Sequence, residues 1–103
     1  MSLSEEQKKI EEFMQRYDMR GTPEFQIIDL MAEVGEVAGD VTKSSEYGLE
    51  KNKMDVKKDE LGDVFFSLFA VCSSLGIDSE EALETALEKY EDRIIEKGDP
   101  GSK

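Results

Sequence analysis

The chain has no histidine and no tryptophan, one cysteine and two prolines. Without histidine, the commonest general base is missing. So are the usual zinc sites and the Glu-x-x-His pattern of di-iron helix bundles. A metal bound here must be held mainly by oxygen, which points to Mg²⁺, Mn²⁺ or Ca²⁺. The lone Cys72 lies inside the most apolar run and has no partner in the chain, so it reads as a small buried hydrophobe. No apolar run approaches the roughly 18 residues of a membrane span. The longest, Val64 to Cys72, is interrupted by Ser67. The N-terminus, Met1-Ser2-Leu3-Ser4-Glu5-Glu6, lacks the basic and apolar stretches of a signal peptide, so the expectation is a cytoplasmic protein with no membrane partner. Basic charge is also scarce: 13 Lys and Arg against 25 Asp and Glu leave a net charge of −12. Nucleic-acid polymers need a positive footprint and are disfavoured. A polyphosphate remains open to such a protein if divalent metals invert the local charge. There is no G-x-x-x-x-G-K-[ST] loop, no G-x-G-x-x-G and no EF-hand pattern.

What remains is helix. At 103 residues the chain reads as one domain, residues 1–103, with a frayed tail from about Lys97. A domain this small buries a limited share of its surface, and association with copies of itself is an ordinary remedy. Strand-like alternation is absent, and apolar residues recur at helical spacing throughout. The first helix is expected from about Glu5 to Met19, with Ser4 and Gln7 as a capping box and Ile10, Phe13, Met14 and Tyr17 as its stripe. Thr22 and Pro23 open a second helix that runs to about Lys43. Ser44 to Asn52 reads as a loop. A third helix is expected from near Met54 to Leu75, stopped by Gly76. Asp78 caps a fourth, which carries Leu83, Leu87, Tyr90 and Ile94 on one face. The pattern predicts an all-α, four-helix bundle. From Val64 to Cys72 the third helix is apolar almost all round, as if covered on nearly every side. That predicts an oligomer built on the central helices, with a copy of helix three nearby.

On the second helix the polar residues are confined to a narrow stripe, Gln26, Asp29, Glu33, Glu36 and Asp40, and four of the five are acids. Like charges at this spacing repel and destabilise a helix. The third helix repeats the device with Glu60 and Asp63, three apart and therefore on one side. Acidic stripes are commonly solvated faces, but these are flanked by apolar surface and lie on consecutive long helices. Carboxylates brought together in that way are costly unless neutralised. A divalent cation does so directly, and octahedral Mg²⁺ completed by water and phosphate oxygens is the natural occupant, with Mn²⁺ as the alternative. Metal held by carboxylates can screen a triphosphate and activate water, while one carboxylate takes the water's proton.

Glu33-Val34-Gly35-Glu36, a 23-residue spacer and Glu60-Leu61-Gly62-Asp63 resemble the E-x-x-E … E-x-x-D signature of the MazG-like nucleoside triphosphate pyrophosphohydrolases. The similarity extends through Leu75-Gly76-Ile77-Asp78 and Glu81-Ala82-Leu83 to Lys89-Tyr90-Glu91-Asp92-Arg93, covering roughly residues 25 to 97. The resemblance implies a four-helix subunit active as a homodimer or homotetramer. It implies Mg²⁺ held by Glu33, Glu36, Glu60 and Asp63, and water attack that releases pyrophosphate. One of Glu33, Glu36 or Glu60 would orient the water. Lys89 and Arg93, one turn apart beside Ala82 and Ala86, would help neutralise the phosphates. Their bland alternatives are an intrahelical ion pair or snorkelling over the core. Lys57 and Lys58 read as surface lysines. Many relatives carry a second Glu where this chain has Ala32, and a Lys where Asp29 stands. Some stack the base on tryptophan, for which Tyr17, Tyr47 and Phe69 are the substitutes here. Clearance of noncanonical or surplus nucleotides is the implied role. The rival classes are a noncatalytic helical interaction module and a narrower deoxypyrimidine triphosphate pyrophosphatase.

Overall fold

The computed structural model describes residues 1–19 and 21–101, and every regular element within them is helical. α1 spans Leu3–Arg16, α2 Pro23–Ser44, α3 Lys58–Leu75 and α4 Ser79–Lys97, with a short 3-10 turn at Lys51–Lys53. The fold is all-α, as the helical spacing predicts. No single helix among the described residues is long and apolar enough to cross a membrane.

α2 begins where Thr22 and Pro23 place it: the Thr22 hydroxyl accepts from the Phe25 N–H at 3.4 Å. α1 begins earlier than its expected capping box. Ser2 is the N-cap, and its hydroxyl accepts from the Glu5 N–H at 3.1 Å. α1 also stops short of Met19. Asp18 adopts a left-handed φ of 53°, which a short polar side chain tolerates, and the Met19 N–H closes onto the Met14 carbonyl at 2.8 Å. α3 starts at Lys58 rather than near Met54. The Asp55 N–H donates to the Ser44 hydroxyl at 2.7 Å, which ties the preceding segment to the end of α2. α3 ends at Gly76, whose φ of 68° an L side chain would resist.

α2 and α3 lie side by side and antiparallel. Ser74 donates to Gln26 at one end, Glu60 faces Asp40 further on, and Asp55 meets Ser44 at the other end. α1 also packs on α3: Phe66 meets Phe13 edge-on at 5.9 Å, and Ser73 donates to Glu11 at 2.8 Å. The buried apolar residues are Met14, Phe69, Ala70 and Val71. Cys72 is only half-buried. Burial, with the Asp78 charge second, pushes its thiol up and away from the reactive thiolate.

α4 leaves this layer. Its axis turns through 100° from that of α3, and it packs principally on α1. The joint is polar and buried. Gln7, 7% exposed, donates from Nε2 to the Ile77 carbonyl at 2.9 Å and accepts at Oε1 from the Ser79 N–H at 2.7 Å. The Ser4 hydroxyl donates to Asp78 Oδ1 at 2.7 Å, and Asp78 caps α4 by accepting from the Glu80 N–H at 3.2 Å. Ser4 and Gln7, expected to cap α1, serve this corner instead. After Gly98 the tail folds back, with Lys97 Nζ donating to the Gly101 carbonyl at 2.7 Å. The last of the expected frayed stretch, residues 102 and 103, lies outside the described residues.

Because α4 stands away, one chain covers only part of its apolar surface. Phe65 on α3 is 62% exposed and Met31 on α2 63%; Leu83, Leu87 and Ile94 on α4 are also exposed. The Cα radius of gyration is 16.7 Å. A globular chain of about 100 residues has a radius near 13 Å.

Candidate active site

The antiparallel register of α2 and α3 brings the two acidic stripes face to face. Carboxylate oxygens of Glu33, Glu36 and Asp63 all lie within 4.8 Å of one another. Glu33 Oε2 is shielded from water and has no hydrogen-bond partner. The Glu33 carboxyl is raised above its ordinary value, first by removal from water, then by contact with Glu36 and by the charges of Glu36, Asp63 and Asp29. Asp29, one turn before Glu33 on α2, therefore adds to the repulsion.

Glu60 is not part of this trio. One helical turn before Asp63, it turns to Asp40 of α2. Its carboxyl is pushed up to about 7, first by the approach of the Asp40 carboxyl, with which its protonated form can hydrogen-bond, then by burial and the Asp40 charge; Lys57 pulls it down and Asp59 raises it. Glu60 Oε2 and Asp40 Oδ2 are shielded from water without partners. Glu36, Asp40 and Glu60 line one groove of about 380 Å³ with Ala32, Gly35, Gly39 and Lys43. A Cβ added at Gly35 or Gly39 would meet nothing within 4 Å, so the groove floor is bare backbone.

Three of the four motif acids thus gather, and the fourth pairs across the helices with an acid outside the motif. Asp40 was legible as a member of the α2 stripe, one turn beyond Glu36. Lys43 carries no signal beyond following Asp40 by three residues, yet it is a cation in the acidic groove. Lys57 is an exposed lysine, and its charge lowers the Glu60 carboxyl against the other influences. Phe69 is buried in the core and cannot stack on a base, whereas Tyr17 and Tyr47 are exposed.

Lys89 and Arg93 do not reach the acids within one chain. Asp63 lies 12 residues from the end of α3 and Lys89 lies 10 beyond the start of α4. With a rise of about 1.5 Å per residue and the turn of 100° between the axes, their backbones are roughly 20 Å apart, and Arg93 is a turn further out. Lys89 Nζ instead lies 5.2 Å from the centre of the Tyr90 ring, and Arg93 Nη1 donates to the Pro100 carbonyl at 3.3 Å.

The donor set suits a hard divalent cation. It is all oxygen, three carboxylates are close enough to share one ion, and Glu33 holds a shielded oxygen with nothing to bind. A family model, the MazG nucleotide pyrophosphohydrolase domain, matches residues 22–95. The chain belongs to the MazG family. Comparison with curated proteins and with solved structures finds no match to either. The MazG segment begins at the Thr22 cap and includes α2, α3, nearly all of α4 and every acid of the groove and the trio, while α1 lies outside it. In general terms, membership supports nucleotide pyrophosphohydrolysis as the activity of this domain.

Proposed function

We propose that this MazG domain, a single domain acting as a cytoplasmic homodimer or homotetramer, hydrolyses nucleoside triphosphates to a monophosphate and pyrophosphate with Mg²⁺, or Mn²⁺ in its place. The observation that carries the proposal is the convergence of Glu33, Glu36 and Asp63 within 4.8 Å in a chain matched to the MazG domain over residues 22–95. Bound Mg²⁺ would offset the mutual repulsion of these acids and screen the triphosphate. Glu33, Glu36 and Asp63 would hold the ion. Glu60, set apart from the trio but facing the same groove as Glu36, takes the proton of the attacking water. The water oxygen bonds to the α-phosphorus, the bond between that phosphorus and the α–β bridging oxygen breaks, and pyrophosphate leaves. Lys89 and Arg93 bind the phosphate oxygens.

Pyrophosphate release from a panel of NTPs and dNTPs tests this reading. Metal-dependent release is expected from wild type, and Glu36→Gln and Asp63→Asn should lose both turnover and the rise in melting temperature caused by Mg²⁺. Glu60→Gln should keep the Mg²⁺ response and lose turnover by about a hundredfold or more. Folded wild-type protein that releases pyrophosphate from no nucleotide would defeat the proposal. Loss of the Mg²⁺ response in Glu60→Gln would return Glu60 to the metal set.

A further inference from the structure

We infer that this site selects its nucleotide by the base, with Asp29 and Gln26 as the residues that choose, and that it favours a uracil- or thymine-bearing substrate. The inference rests on the acids being a nucleotide site, and it names the class of nucleotide turned over there. A cavity of about 100 Å³ lies between α1, α2 and α3. On α2 it is bordered by Asp29, one turn before Glu33, and by Gln26, two turns before it. On α3 it is bordered by Ser67, one turn beyond Asp63. At a rise of about 1.5 Å per residue, Asp29 and Gln26 stand roughly 6 and 10 Å from Glu33 along the helix axis. A ribose sets a separation of that order between an α-phosphate and its base. The groove of Asp40 and Glu60 leaves the trio in the opposite direction along α2, so the cavity is the end that is open to the nucleoside.

The walls set the size of the base. Met14, Met19, Phe66 and Ala70 are apolar and suit the faces of a flat ring, and Met14 and Ala70 belong to the buried core. An apolar cavity of about 150 Å³ takes up one benzene. At about 100 Å³ this one holds a single ring and leaves the second ring of a purine outside.

The order of the polar groups sets which single ring. Gln26 is only 7% exposed, and the Ser74 hydroxyl donates to its Oε1. That bond turns the amide so that Nε2, a donor, is the group left for a ligand. Asp29 is exposed and ionised, so it can only accept. Its charge also opposes that of Glu33, and an N–H from a ligand would give it a partner in place of that repulsion. Outward from the trio, the protein therefore presents an acceptor and then a donor. A pyrimidine joined to ribose at N1 presents, in the same direction, N3 and then the substituent at C4. In uracil and thymine these are an N–H donor and a carbonyl acceptor, which match both residues. In cytosine they are an acceptor and an amino group, which oppose both. A polar group held against its own kind loses its partner in water and gains none, which is the strongest ground on which a site rejects an analogue.

Pyrophosphate release from UTP, dUTP and TTP, set against CTP, dCTP, ATP and GTP as kcat/KM, reads the preference. Wild type should favour the uracil and thymine nucleotides over the cytosine ones by about tenfold to a hundredfold. Asp29→Asn lies at an exposed position and offers N3 a donor as well as an acceptor, so it should bring that ratio to within about threefold of unity. Asp29→Asn combined with Gln26→Glu exchanges donor and acceptor and should reverse the preference towards cytosine. Circular dichroism checks that the double variant folds; if it does not, the Asp29→Asn ratio decides. Equal turnover of all bases, a wild-type preference for cytosine or a purine, or an unchanged ratio in Asp29→Asn overturns the inference and leaves the proposed activity standing. If wild type hydrolyses no nucleotide, the proposed activity falls, and calorimetric binding of UMP against CMP judges the cavity by itself. Tighter binding of UMP that Asp29→Asn equalises upholds the role of Asp29 and Gln26, and equal binding by wild type overturns it.

Discussion

Replacing Gln7 by Ala removes the joint that sets the direction of α4. Both ends of the Gln7 amide are engaged, Nε2 with the Ile77 carbonyl and Oε1 with the Ser79 N–H, and both Gln7 and Ser79 are buried. A buried group left without its partner costs about 1–3 kcal/mol. Ile77 is partly exposed, so water can serve its carbonyl and its share lies at the low end. The Ser79 N–H has no such recourse. The expected loss is about 2–4 kcal/mol, which in a domain of this size lowers the melting temperature by roughly 10–25 °C. Urea unfolding followed by circular dichroism, at matched protein concentration because association adds to apparent stability, measures it. Ser4→Ala, which removes a single bond to Asp78 at a partly exposed site, should cost about 1 kcal/mol. A Gln7→Ala loss below about 0.5 kcal/mol would refute the claim that this side chain holds the corner. In the fraction that stays folded, pyrophosphate release should still fall, since α4 carries Lys89 and Arg93.

Three further outcomes follow from the groove. The folded-state pKa of Glu60, about 7, and the raised value of Glu33 lie above those of an unfolded chain, so the metal-free protein should lose stability as pH rises from the ordinary carboxylate range towards 7 and level off beyond it. Mg²⁺ replaces the proton on Glu33, so its melting shift should be larger at pH 8 than at pH 5; equal shifts would contradict the picture. Asp40→Asn removes the largest cause of the Glu60 shift and should move the acid limb of pyrophosphate release to lower pH, and an unmoved limb would separate Asp40 from the site. Gly35→Ala meets open space and replaces a poor helix former, so the nucleotide-free fold should gain up to about 1 kcal/mol while KM for the nucleotide rises. A loss of stability would mean that the groove floor is already covered in the free protein.

The sequence was most legible where a local rule had no tertiary competitor. Thr22 and Pro23 start α2, Gly76 stops α3 and Asp78 caps α4, each by chemistry contained within a few residues. The Ser4–Gln7 pair shows the limit. Its spacing suits a capping box, but both side chains bond more profitably to the start of α4, seventy residues away, and Ser2 takes over the cap. The i, i+3 spacing correctly put Glu33 with Glu36 and Glu60 near Asp63. It carried no information on the register between α2 and α3, which sends Glu60 to Asp40 rather than to the trio. The distance from Lys89 to the acids was illegible for a related reason. A helix wheel gives the face on which a cation lies, and a turn of 100° at a three-residue corner decides how far that face stands from the acids.

The corner has a consequence for how this protein can be divided. The MazG match begins at residue 22, and everything with a charge or a carboxylate to contribute to the groove lies beyond that point. The brace for α4 comes from before it, from Ser4 and Gln7. A fragment trimmed to the matched segment would keep the whole reactive inventory and lose the strut that aims one third of it. For this chain, chemistry and aim are written in separate stretches of sequence, and a lesion near the N-terminus can silence a site to which it contributes no atom.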